Sequence, residues 1–248
     1  MLPIQQLVPG WAKRNYRRLR RLAEHAVNQR RTPEQVFSHI YERGLWGQSE
    51  GRFCSGSGST EAHAVEYLRV LAEYVERHSI RSVVDLGCGD FAIGRRIAAL
   101  GIDYTGVDVV PALIEHHTRT SGTERIRFMH RDIVDDDLPH GDLCLIRQVL
   151  QHLSNDQISK ILPKLGRYSH VLVTEHYPAP GAWAIPNKDK AHGHDTRVED
   201  DSGVFLECPP FNARIAEVLL ERESTPLKRP GEVLRTTRVV AGSQARAS

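Results

Sequence analysis

Cysteine is scarce in this chain of 248 residues: Cys54, Cys88, Cys144 and Cys208 lie far apart and form no C-x-x-C or Cys/His cluster of zinc spacing. That usage argues against a disulfide framework and against a structural metal site, so no metal is expected. Also missing is any run of about 18 apolar residues, as a membrane-spanning helix would need. The N-terminus MLPIQQLVPGWAKRNYRRLRR lacks an apolar stretch before a small-residue cleavage site. A soluble, cytoplasmic protein is expected. There is no internal repeat, and the one small-residue patch is Ser55–Ser59. A content of 40% hydrophobic and 26% charged residues suffices for a buried core and excludes a disordered tail.

An excess of either charge is lacking too, since 33 Lys+Arg stand against 31 Asp+Glu for a net of +2. The balance is uneven along the chain. Residues 11–31 hold eight Lys/Arg (Lys13, Arg14, Arg17, Arg18, Arg20, Arg21, Arg30, Arg31) and one acid, Glu24, a net of +7 that leaves −5 for the rest. This arm reads as a helix with a thin apolar stripe of Tyr16, Leu19, Leu22, Ala23 and Ala26. A shorter helix follows Pro33, residues 44–59 read as a loop, and Ser59 or Thr60 would cap a helix running to about Arg77. Short apolar runs at 81–86, 103–107, 126–130, 142–146 and 170–175 then alternate with helical segments at 92–100, 111–120 and 154–166. That alternation predicts a doubly wound α/β fold with a mostly parallel sheet covered on both faces. Residues 176–210 form a Pro/Gly/His-rich insertion. Runs near 215–222 and 232–240 flank Pro226 and Pro230–Gly231; the first has both helical and strand periods, and two strands would make an antiparallel C-terminal hairpin.

The sharpest motif is Val83-Val-Asp85-Leu-Gly87-Cys-Gly89-Asp90-Phe-Ala92, a strand entering a tight glycine turn before a helix. Glycines there let backbone approach a ligand at the carboxyl end of a strand. Asp108 closes the next strand 23 residues after Asp85, where a carboxylate accepts both hydroxyls of a ribose. The turn also satisfies the loose G-x-G-x-x-G/A dinucleotide pattern. A pyrophosphate wants positive potential at this place, however, and Asp85 and Asp90 would repel it. A cofactor bearing an ammonium and a sulfonium cation, S-adenosylmethionine, suits those acids.

On DLGCG, Asp108 of YTGVDVV, the acidic loop RDIVDDDLP, the strand DLCLIRQVLQHLS and the closing strand pair, all in order, residues 60–240 resemble the class I S-adenosylmethionine-dependent methyltransferases. The resemblance implies a seven-stranded Rossmann-like sheet. It further implies that Asp85, Gly87, Cys88 and Gly89 contact the methionine end, that Asp108 with Val109 takes the ribose, and that Asp132 and Ile133 bracket the adenine. Gln148 would lie beside the sulfonium or substrate. One departure is Phe91, where the family often has a third glycine; Gly94 is expected to absorb the turn.

Methyl transfer needs a positioned nucleophile and, for a hydroxyl, removal of its proton. His152 and His176, beyond strands four and five, are the expected bases, with Glu175 orienting or acting itself; a histidine there equally serves packing. The insertion is too polar for an economical connector, so Asn187, Lys190 and Arg197, with Arg147, are expected to bind a polyol or an anionic group, the alternative being a solvated lid. Tyr41, Trp46 and Ser55–Ser59 either fold over the cofactor or cap the sheet. Residues 1–59 thus form an N-terminal extension and 60–248 the catalytic domain. Three readings of function follow: methylation of a small molecule or saccharide-type hydroxyl; an RNA or protein methyltransferase that grips a polyanion with the basic arm; and an enzyme whose arm lies on an anionic membrane surface, peripheral to its inner face. The sequence assigns no oligomeric state.

Overall fold

The computed structural model describes residues 10–47, 53–56, 58, 61–223 and 231–240, with backbone alone for 10–18 and 61–63. The expected cap at Ser59 or Thr60, Ser57, Pro226 and Pro230 lie outside the described residues.

Five strands, β1 (Ser82–Leu86), β2 (Asp103–Asp108), β3 (Ile126–His130), β4 (Leu143–Arg147) and β5 (His170–Tyr177), run parallel to one another. Helices α4 (Ala92–Ala98), α5 (Pro111–Ser121) and α6 (Asn155–Lys164) make the crossovers. Two short strands inside the insertion, β6 (Ile185–Pro186) and β7 (Ser202–Gly203), pair with each other. The chain closes with β8 (Arg214–Glu223) and β9 (Val233–Val240), so the segment with two periods is a strand. The sheet order is β3-β2-β1-β4-β5-β9-β8, with β9 antiparallel to both of its neighbours. Strand order reverses between β1 and β4, the place where open α/β sheets leave a ligand crevice at the strands' carboxyl ends.

Alternation along each strand splits the core into two layers. Val84, Leu86, Cys144, Ile146, Val171 and Val173 face one cluster with α2 (Pro33–Glu42), α5 and α6. Val83, Tyr104, Leu143, Leu145 and Leu172 face the other with α3 (Glu61–Arg77) and α4. Helix starts are written locally: Thr32 and Ser154 form capping boxes with Gln35 and Gln157, satisfying orphan N–H groups of α2 and α6. Proline opens α2 and α5.

The basic arm is a helix, α1 (Gly10–Asn28), and the described residues of its apolar stripe face solvent. Leu19 and Leu22 are 66% and 56% exposed, while Arg21, His25 and Asn28 point inward. The reason lies in the insertion. Arg21 pairs with Asp200 and lies 3.5 Å from Asp195, His25 Nε2 is 3.0 Å from Asp195, and Asn28 donates to the His192 carbonyl at 3.0 Å. A polar partner on the domain turns the helix about its axis, leaving the apolar stripe in solvent.

Candidate active site

A cavity of about 380 Å³ opens at the carboxyl ends of β1, β2, β4 and β5. Asp85, Gly87, Cys88, Gly89, Asp108, Val109, Asp132, Ile133, Arg147, Gln148, His152 and His176 all line it, so the crevice brings together most of the residues picked out by sequence. Gly87 and Gly89 turn the chain with φ of +79° and +53°. Asp108 accepts from the Gly89 and Val110 N–H groups, both at 3.0 Å, which fixes its carboxylate at the cavity edge. Burial raises its pKa, and those backbone bonds oppose the rise. Asp85 accepts from the Tyr104 hydroxyl at 2.6 Å; burial pushes its carboxyl up to about 6 despite that bond.

Phe91 occupies the departure from the family pattern and itself takes the left-handed turn, at φ +60°. Gly94 does not absorb the turn. It supplies room, because a Cβ there would lie 2.3 Å from the Tyr104 hydroxyl and 2.6 Å from the Phe91 ring. The ring packs against Tyr104, His117 and Phe128, and that burial offsets the backbone strain. His117, which sequence reading did not single out, approaches the Gly89 carbonyl at 2.8 Å and steadies the glycine turn from below.

The N-terminal segment forms the roof. Tyr41 and Ser55 hydroxyls lie 2.7 Å apart, Ser55 N–H donates to Asp90 at 2.8 Å, and Asp90 N–H donates back to the Ser55 hydroxyl at 2.8 Å. Asp90, which also lines the cavity, accepts from Ala92 N–H at the start of α4 and so clasps the roof to the glycine turn. Trp46 crosses to the insertion, donating to the His194 carbonyl at 3.1 Å, with its ring centroid 5.1 Å from that of His152.

The two histidines differ in setting. His152 Nδ1 lies 3.1 Å from the Gly193 carbonyl and 3.3 Å from that of Asp195, which puts the ring proton on Nδ1 and leaves Nε2 as an acceptor. Burial, with Lys190 adding to it, lowers its pKa to about 3. His176 Nε2 is 3.3 Å from the Gln148 amide nitrogen, and burial together with Arg147 and Arg222 lowers its pKa to about 4. Arg147 donates to the Gly58 carbonyl at 2.8 Å and stacks 5.1 Å over the Tyr67 ring.

Glu175 does not belong to the cavity. Neighbouring residues of a strand point to opposite faces, so Glu175 enters the core where His176 meets the crevice. Fully buried, it accepts from Val149 and Leu150 N–H groups at 3.1 and 2.8 Å and caps the single 3-10 turn Leu150–His152; burial pushes it up to about 8. Asn187, Lys190 and Arg197, expected to bind substrate, stand apart from the cavity lining. Asn187 donates to the Phe205 and Pro209 carbonyls, Lys190 bonds the Asp195 carboxylate and carbonyl, and Arg197 donates to the Lys188 and Leu153 carbonyls at 2.7 Å each. All three are buried and hold the insertion together, which is neither a solvated lid nor a polyol site. His194, Thr196 and Val198 are the insertion residues that reach the cavity. Their placement depends on that internal scaffold, which no local motif announces.

Residues 84–169 match a family model described as a methyltransferase domain. A comparison with curated proteins gave no match. Among solved structures, the chain is similar to the N-methyltransferase NodS from Bradyrhizobium japonicum WM9, solved with S-adenosyl-L-homocysteine, at 14% identity over 82% of this chain and 97% of that one, with a TM-score of 0.53. It is also similar to the magnesium protoporphyrin IX methyltransferase ChlM from Synechocystis PCC 6803, solved with S-adenosylmethionine, at 14% identity over 82% and 91%, with a TM-score of 0.50. These likenesses show a shared fold. Among the described residues no helix is long and apolar enough to cross a membrane.

Proposed function

We propose, for a chain whose residues 84–169 are a methyltransferase domain with the class I fold, that it moves a methyl group from S-adenosylmethionine to a hydroxyl of a small-molecule acceptor. One observation carries the choice of a small acceptor: the roof meets the insertion over the cavity through Trp46 and His194, and is clasped to the glycine turn through Ser55 and Asp90. A polymer would need an open groove at that place.

The donor set fits the cofactor. Asp108 would offer a fixed carboxylate to the ribose hydroxyls, Asp132 and Ile133 would flank the adenine, and Asp85 with the 87–89 turn would face the charged methionine end. When bound, S-adenosylmethionine supplies a methyl group already activated by its sulfonium. The chain then has to orient the acceptor and exclude water. His152 Nε2, its tautomer set by two carbonyls, accepts a hydrogen bond from the acceptor hydroxyl and aims an oxygen lone pair. At a pKa of about 3 this ring does not store the proton near neutral pH, and His176 at about 4 does not either, so both act as orienting acceptors rather than as strong bases. Arg147 and Gln148 frame the other side of the acceptor's place.

Calorimetry with S-adenosyl-L-homocysteine tests the cofactor, and release of that product over a panel of small hydroxylated acceptors tests the reaction. Asp108→Ala should weaken cofactor-product binding by about 1.5–3 kcal/mol, roughly ten- to a hundredfold, the worth of hydrogen bonds to a charged group. Unchanged binding in that variant removes the ribose role. Transfer to an RNA or protein acceptor with none to small hydroxyls overturns the proposal.

A further inference from the structure

The outer face of α1 is unusual for a helix docked on a globular domain. At about 100° per residue, Leu19, Leu22, Ala23, Ala26 and Val27 fall on one side and Arg21, His25 and Asn28 on the other. The domain takes the polar side. All five apolar residues are exposed, Val27 at 48%. Helices ordinarily pack the reverse way, with the apolar stripe inward and the charges in water. Here ion pairs to Asp195 and Asp200 and the Asn28 bond to the His192 carbonyl lock the inverted orientation.

Beside the stripe Arg20 pairs with Glu24, and elsewhere on the segment basic residues prevail. Residues 11–31 carry a net +7, and Arg30 and Arg31, at the turn that ends the helix, are exposed. An apolar stripe with exposed Arg30 and Arg31 at the helix end matches a surface that is apolar within and negative at its rim. A bilayer with anionic headgroups has that profile: side chains such as Leu22 enter the acyl boundary while the guanidinium groups sit among phosphates. A second copy of the chain would cover the stripe but would bring its own +7 against this one, and RNA would answer the charge but leave the leucines in water.

We infer that α1 docks the enzyme, outer face down, on an anionic phospholipid surface. The stripe lies on the helix face turned away from the domain, so the inference stands apart from the proposed reaction. Docking delivers the domain to acceptors carried on, or dissolved in, a membrane.

Flotation of the full chain with vesicles tests it. The chain should bind vesicles of equal parts phosphatidylcholine and phosphatidylglycerol and not vesicles of phosphatidylcholine alone, and binding should fall as salt rises. Leu22→Glu and Val27→Glu, each on the exposed face, should lower partitioning about tenfold or more while circular dichroism and binding of S-adenosyl-L-homocysteine stay as in the parent. Arg30→Glu with Arg31→Glu should act in the same direction. No binding to the anionic vesicles overturns the inference, as does binding that Leu22→Glu leaves intact. A parent chain that is dimeric in sedimentation, with a monomeric Leu22→Glu variant and no vesicle binding, assigns the stripe to a second copy and also overturns it. Binding to a single-stranded RNA oligonucleotide without vesicle binding does the same.

Discussion

Replacing Glu175 with Gln should abolish a pH dependence of stability. The carboxyl is fully buried, its Oε1 accepts from Val149 and Leu150, and its Oε2 has no hydrogen-bond partner. A neutral hydroxyl left unpaired costs far less than an anionic oxygen in the same place, so burial raises the pKa from 4.5 to about 8. The folded chain then keeps a proton that the unfolded chain loses above its ordinary value. Stability from this group is whole below pH 4.5 and falls as pH rises toward about 8, the window set by the two pKa values. At 1.36 kcal/mol per unit, the loss between about pH 5 and pH 9 is roughly 4 kcal/mol. Gln keeps an acceptor for the two N–H groups and has nothing to ionise. Urea unfolding of both proteins across that range should therefore give curves that diverge by several kcal/mol, with the parent falling and Glu175→Gln holding. Parallel curves, differing by a constant within about 1 kcal/mol, refute the assignment of Glu175 as a buried neutral acid.

Other variants read other contacts. Asp195→Ala leaves the buried Lys190 ammonium without its carboxylate, takes the carboxylate from His25 and leaves Arg21 with Asp200 alone, and should cost about 3–5 kcal/mol in denaturant unfolding. Burial works against ionising Asp195, but bonds from His25 and Lys190 hold its carboxyl well below the usual range. Its contribution is therefore present above about pH 4 and lost as pH falls, opposite in sign to that of Glu175. Gly87→Ala combines a φ of +79° with a Cβ 2.4 Å from Val149, and thermal unfolding should show a loss of about 2–4 kcal/mol. Phe91→Gly relieves about 1–2 kcal/mol of left-handed strain but forfeits a ring only 1% exposed, worth about 3–5 kcal/mol, so the same measurement should find net destabilisation.

The sheet is legible in the sequence because burial on both faces leaves short apolar runs, and the runs are what periodicity detects. The glycine turn is legible because its backbone geometry demands particular residues, and Asp108 because it closes the next strand at a fixed spacing from Asp85. Elsewhere the deciding partner is far away in the chain. Nothing in α1 says that Asp195 and Asp200 will take its polar side, so which side of the helix meets the domain is not legible in the sequence. Lys190 and Arg197 look like ligand-binding charges until the carbonyls they serve are in place. Glu175 is a different case: strand alternation next to His176 already forbids both from facing the crevice.

Asp195 also joins regions that a domain boundary would separate. Its carboxylate holds α1 through Arg21 and His25 and holds Lys190, while its carbonyl, with that of Gly193, receives the ring proton of His152. The extension and the cavity wall are consequently one opening unit in hydrogen exchange: amides near residues 21–28 and 193–195 should share a single protection level and lose it together. A chain cut after residue 31 would lose more than its arm, since the loop that sets the tautomer of His152 would lose one of its anchors.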